Sequence, residues 1–149
     1  MSMTEKQHVD MWLKGSSEAM TSMRLQLKGK QRTFAMFMGH LAIEKALKAV
    51  LVCRQVPTEK WARGFRGHKL DYLADLAKLQ LTADEMTELV TITSFNMNAR
   101  YDDYKRAFHA LCTPRYTSKW SKHINAWYKK IRIIAVEERK KLPNNSPSN

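Results

Sequence analysis

Residues 95–109 read FNMNARYDDYKRAFH, the densest run of chemically capable side chains in the chain. Arg100 can fork onto a phosphate or a carboxylate through two parallel hydrogen bonds. Lys105 and Arg106 add positive charge, and Tyr101 and Tyr104 bring rings that carry a donor. Asp102 and Asp103 can hold Arg100 in place or act as weak oxygen ligands. His109 closes the run with a group able to move a proton near neutral pH. The stretch therefore reads as a nuclease site, a nucleotide-binding lip, or the salt-bridged polar end of a helix.

Two further clusters compete with it. The segment RQVPTEKWARGFRGHK sets Arg54, Lys60, Arg63, Arg66 and Lys69 against one acid, Glu59, with Trp61 and Phe65 interleaved. Cations for phosphates and rings for stacking are what single-stranded nucleic acid recognition uses. The alternative is that both rings cap the core and the charges are solvated. The second cluster, EKALK, puts Glu44, Lys45 and Lys48 inside the most apolar segment of the chain. Glu44 and Lys48 are four apart and can pair on one helix face. That pair is expected at the rim of a bundle, its stems snorkelling, or else as a charge held in a cleft to meet a ligand or a second subunit. His68 is expected to cap a helix.

Other chemistries lack their sequence signs. There is no GxxxxGK[ST] or GxGxxG cradle for phosphates, no GxSxG and no HExxH. Cys53 and Cys112 form no CxxC pair and no zinc-spaced cluster, so neither a metal nor a cofactor is expected. The start, MSMTEKQHVD, carries no apolar run of the signal-peptide kind, and no stretch is long and apolar enough to span a membrane. A cytoplasmic protein with no membrane partner is the expectation. The charge of +12, from 26 Lys and Arg against 14 acids, favours a polyanion or an acidic protein as partner.

The elements that must position these residues are helical. Val9, Leu13, Ser16, Met20, Met23 and Leu27 recur at three- and four-residue steps over about residues 5–27. Residues 33–54 are apolar nearly all round, as a central buried helix would be, and Pro57 stops them. A third helix starts near His68 or Lys69, with Leu70, Leu73, Leu76 and Ala77 on one side. Thr82 and Glu85 form a capping box that opens a fourth, with Met86, Leu89, Val90, Thr93 and Met97 inward. After Pro114 a last helix repeats Trp120, Ile124, Trp127, Ile131 and Ile134, the spacing of an antiparallel bundle. No segment alternates with period two. The expected fold is all-α, an up-and-down bundle of four or five helices in one domain over residues 1–139, with a disordered polar tail at 140–149.

MWLKGSSEAM, GHLAIEKALKAVL, GHKLDYL, FNMNARYDDYK and WYKKI, in that order across roughly residues 8–135, resemble the HEPN family, the higher eukaryotes and prokaryotes nucleotide-binding domain. ARYDDYK resembles the ARYPDYK-like branch of that family. The resemblance implies a helical homodimer, frequently encoded beside a minimal nucleotidyltransferase in a toxin–antitoxin pair. It also implies, for many members, a metal-independent ribonuclease. Those members carry Arg, four to six residues, then His at the dimer cleft, the Arg steadying phosphate and the His moving the proton. Here eight residues separate Arg100 from His109, and seven separate Arg115 from His123. Arg63 and His68 have a four-residue gap but stand in a loop. On one continuous helix Arg100 and His109 would face about 180° apart, converging only if the helix breaks or across a dimer. The expectation is a domain that binds nucleotide or RNA through Arg100, Tyr101, Asp102, Tyr104 and Lys105, with Lys45 and Lys48 nearby, and without catalysis. The alternatives are a degenerate ribonuclease using Arg100 and His109, and an RNA-binding scaffold using the loop from Arg54 to Lys69.

Overall fold

Side-chain caps start three of the helices. Thr4 and Gln7 form a reciprocal capping box, as do Thr82 and Glu85, and the Thr113 hydroxyl accepts from the Tyr116 N–H with Pro114 at the first helical position. The structure, a computed structural model, describes residues 2–145 together with Pro147 and Ser148. Among these lie six helices: α1 (Glu5–Lys28), α2 (Arg32–Cys53), α3 (Leu70–Leu76), α4 (Ala83–Arg100), α5 (Asp102–Leu111) and α6 (Pro114–Lys140). The all-α bundle is as expected, with one helix more. The run after Arg100 is a separate helix because Tyr101 is extended (φ −91°, ψ 130°). The chain re-enters helix at Asp102 and Asp103, acids that suit the positive end of a helix dipole.

α2 is the axis. It packs along α1 for most of its length and against α6, α4 and α3. Gly39 sets one close approach: a Cβ there would stand 2.7 Å from Ile124 Cδ1 and 2.8 Å from Met23 Sδ. α1, α2 and α6 thus meet at a point that has room only for a hydrogen. α6 buries Thr117, Trp120, Ile124, Trp127, Ile131 and Ala135, so the expected stripe holds until its last member, where Ala135 replaces Ile134. α4 differs more. Its buried residues are Leu89, Ile92, Thr93, Phe95, Asn96 and Ala99, while Val90 is 52% exposed. Leu89 and Thr93 are inward as expected, while the polar Asn96, also inward, is one that a hydrophobic count passes over. α5 hangs on the outside by Phe108, whose ring centroid lies 5.5 Å from that of Phe95. Phe95 in turn meets Trp120 edge-on at 5.7 Å. No described helix is long and apolar enough to cross a membrane.

The segment after α6, expected as a polar tail, buries Leu142 and runs beside the start of α1. Lys6 donates to Asn144, the Ser148 N–H donates to the Met3 carbonyl, and Pro147 bridges Thr4. Ser146 and Asn149 lie outside the described residues.

α1, α2 and α3 end alike. Lys30, Gln55 and Lys78 adopt positive φ (60°, 58° and 58°), and a paired reverse bond closes each end; at α3 these run from Leu79 N–H to Ala74 C=O and from Lys78 N–H to Asp75 C=O. Side chains other than glycine's carry a steric cost in this conformation. Lys78→Gly is therefore expected to raise stability by about 0.5–1 kcal/mol, read as a higher urea midpoint at unchanged m-value.

Candidate functional site

Inside the bundle, α2 carries three ionisable groups on one face: His40, Glu44 and Lys48, each four residues on. All three are buried. Glu44 does not sit at a rim. Its Oε2 accepts from Lys48 Nζ at 2.9 Å, and its Oε1 accepts from His68 Nδ1 at 2.8 Å. The Lys48 ammonium lies 5.3 Å from the Trp12 ring centroid and 5.9 Å from that of Trp61. His40 Nε2 donates to the His68 carbonyl at 2.7 Å, and Asn96 Nδ2 meets His40 Nδ1 at 3.4 Å. The Asn96 Oδ1 accepts from Arg100 Nη2 and its backbone carbonyl from Arg100 Nε.

The charges follow from this packing. Burial holds the His40 imidazole below its ordinary value, against the pull of nearby Glu44 and the carbonyl bond to His68. Burial alone would raise the Glu44 carboxyl, but the His68 bond, His40 and Lys48 together hold it below the usual carboxylate range. Burial also pushes the Cys53 and Cys112 thiols up to about 11, so both are inert.

His68 therefore caps no helix. It belongs to a short turn, Phe65–His68, and the first N–H of α3, that of Leu70, is satisfied from α4 by the Thr93 hydroxyl at 2.9 Å. The turn is seated by Gly67, where a Cβ would fall 2.6 Å from the Trp61 carbonyl oxygen. The two rings of this segment part company. Trp61 is in the core with Nε1–H on the Val56 carbonyl, whereas Phe65 is 41% exposed. Arg54 bonds the Ala77 carbonyl and Glu138, tying the end of α2 to α3 and α6. Arg66 stacks over Tyr72 at 5.6 Å, Lys60 lends its carbonyl to the Tyr72 hydroxyl, and Lys69 stands at the start of α3. Arg63 is exposed.

At the surface, a groove of about 500 Å³ runs between the start of α2, the end of α4 and one face of α5. Asp102, Lys105, Arg106 and His109, at steps of three, one and three, line it from α5, with Thr33 and Phe34 opposite. Asp102 pairs with Lys105 at 3.5 Å. Phe34 is 49% exposed. Arg100 lies outside this lining. Its guanidinium is held by Asn96 and faces the Phe37 ring at 5.6 Å and the Tyr101 ring at 5.5 Å. Tyr101 and Tyr104 are exposed. Lys45 borders a separate shallow groove with Trp12 and Gly15, and Lys48 is committed to Glu44.

The family model for the HEPN domain matches residues 9–133. The chain belongs to the HEPN domain family. No curated protein and no solved structure matches it. In this HEPN chain the helix break at Tyr101 removes the geometry of one continuous helix, yet Arg100 and His109 do not enter the same groove of a single copy. His40, Asn96, Thr33 and Phe34 were not among the residues expected from the sequence, whereas Arg106 was. The step of four from His40 through Glu44 to Lys48 was legible; the partners from the loop and from α4 were not.

Glu44→Ala leaves a buried ammonium and an unpaired imidazole, and should cost about 3–5 kcal/mol in urea unfolding; Glu44→Met with Lys48→Met should recover most of that loss. Acid acts on the same groups. The unfolded chain protonates histidine near 6.5 while folded His40 resists, so stability falls as pH drops below that value. Part-buried His8 adds in the same direction. Glu44, held below its ordinary 4.5, contributes stability above that pH, and this is lost as the pH falls on through its folded value. Urea midpoints should thus decline in two steps on acidification, and His40→Gln should flatten the upper one.

Proposed function

We propose that this HEPN-domain protein binds nucleotide or single-stranded RNA along α5. The observation that carries the reading is the α5 face: Lys105, Arg106 and His109 turned into one groove, with the exposed Phe34 ring across from them. Cations track a phosphate chain and a free ring offers a stacking surface for a base. Arg100, whose chain neighbours Ala99 and Asp102 flank the groove, extends the track at its edge, with Tyr101 and Tyr104 as exposed rings beside it. The basic turn with Arg63, Arg66 and Phe65 is a second, smaller contact surface. Lys48 takes no part, since its ammonium is buried.

The protein acts as a homodimer and as the partner of a minimal nucleotidyltransferase in a toxin–antitoxin-type pair. The dimer is supported by Tyr104 and Leu111, which follow the heptad of Phe108 along α5 but stay 47% and 49% exposed. The nucleotidyltransferase partnership rests on the family and on ARYDDYK, the branch signature. A second reading, a metal-independent ribonuclease using Arg100 and His109, is favoured by the place of His109 among the groove cations. It calls for Arg100 of a second copy, since Arg100 lies outside the groove lining that holds His109.

Binding of an oligouridylate should weaken steeply with salt. Lys105→Ala with Arg106→Ala should weaken it further and reduce the slope of log K against log salt by about 1.4, two phosphate contacts' worth. Phe34→Ala should weaken binding and leave that slope alone. A salt-independent affinity, or a slope unchanged in the double variant, would remove α5 as the binding face. RNA cleavage that is lost in His109→Ala would establish the ribonuclease reading instead.

A further inference from the structure

The line of bonds from Arg100 to Glu44 has a direction. At its outer end stands a guanidinium, which has donors only. It needs an acceptor from Asn96, so the amide must turn Oδ1 to Arg100 and Nδ2 to His40. At the inner end stands the His68 backbone carbonyl, an acceptor only, so His40 Nε2 must carry a proton. Between these fixed ends His40 Nδ1 has to offer a lone pair to the Asn96 amide. Each member has one orientation that satisfies both neighbours. Turning the Asn96 amide over would set its NH₂ against the guanidinium.

The surroundings lock the members in place. His40 is wholly buried and Asn96 is 1% exposed. His68, whose carbonyl orients His40, is itself held by its ring bond to Glu44. Arg100 by contrast is exposed at the surface, stacked beside Phe37 and Tyr101, and spends two of its N–H groups on Asn96. The remaining N–H groups are those available to an anion. A long, flexible side chain is thereby fixed before any ligand arrives, which lowers the entropy cost of binding.

We infer that Asn96 is the positioning residue of Arg100, and that His40, oriented by the His68 carbonyl, sets the Asn96 amide for that task. The inference rests on the reading of Arg100 as a phosphate contact. It assigns Asn96 and His40 no contact with ligand.

Two readouts test it. In ¹⁵N-labelled protein the Arg100 Nη2–H resonance reports the bond to the Asn96 side chain directly, whereas the Nε–H bonds the Asn96 backbone carbonyl, which every Asn96 variant keeps. The Nη2–H signal should be sharp and slow to exchange in the wild type, and lost in Asn96→Leu. It should persist in Asn96→Asp, which keeps an oxygen toward Arg100. The second Asp oxygen faces His40 Nδ1, so in that variant the His40 ring should take its second proton at higher pH. His40→Phe should lose the Arg100 signal although Asn96 is intact; if that variant does not fold, the two Asn96 variants decide. An Arg100 signal unchanged in Asn96→Leu overturns the inference. In oligouridylate binding, Arg100→Ala and Asn96→Leu should each weaken affinity about tenfold, the size of one hydrogen bond to a charged group, and together no more than Arg100→Ala alone. Additive losses overturn the coupling. Unchanged affinity in Arg100→Ala removes the underlying reading of Arg100 as a phosphate contact, and the positioning role falls with it.

Discussion

The buried carboxylate of Glu44 is the constraint around which the rest of the interior is arranged. An isolated charge inside a helical core costs many kilocalories, so the fold has to bring it partners. Lys48 comes from the same helix at no cost in topology, because four residues on is the same face. The other partner, His68, comes from the segment between α2 and α3, and that requirement fixes a long connection that would otherwise wander. Trp61 folds under Lys48 and Gly67 allows the turn to close over the Trp61 carbonyl. The ammonium lies next to a carboxylate and beside two indole rings. One ion pair thus accounts for the seating of a stretch without regular structure.

The same constraint reaches the surface. His68 gives its side chain to Glu44 and its carbonyl to His40, so the residue that bonds the carboxylate also orients the next ring. Through Asn96 the order set in the core arrives at Arg100 at the end of α4. α5 lies just past that point and is attached differently. Phe108 is its buried anchor, packed on Phe95, with the rest of its length in solvent. The interior therefore holds Arg100 through Asn96, while the neighbouring helix, carrying Lys105, Arg106 and His109, rests on the bundle through Phe108.

The periodic parts of this arrangement could be read from the sequence, and the non-local parts could not. The Thr82–Glu85 box, the all-round apolarity of residues 33–54 and the Trp120–Ile131 stripe are patterns within one helix, and the structure keeps them. The face of α4 was read correctly at Leu89 and Thr93 and went wrong at Val90 and at Asn96, which turns inward for a reason that lies elsewhere in the chain: it links His40 to Arg100. Spacing placed Glu44 and Lys48 on one face but could not say which face, since α2 is buried on nearly every side. His68 looked like a cap because it precedes a helix; its actual partner is 24 residues upstream. The break at Tyr101 has no proline or glycine to announce it.

The distribution of the +12 charge extends the argument from the core to the exterior. Several of the acids are engaged in ion pairs. Glu138 takes Arg54, Asp10 takes Arg139, Glu85 takes Lys130 and Glu137 takes Lys140. These pairs sit toward the end of α6 and the elements packed there. Near α5 and the start of α6 the pattern changes. Among the described residues Arg106, Arg115 and Lys119 form no ion pair, and Asp102 is paired with Lys105. Exposed pairs are worth little to stability, so leaving these cations unpaired costs the fold almost nothing. Of the three, Arg106 lines the open groove beside Lys105, while Asp102 and Asp103 at the start of α5 offset part of that charge. The exposed pairs thus neutralise cations toward the end of α6, while Arg115 and Lys119 near its start have no such partner among the described residues.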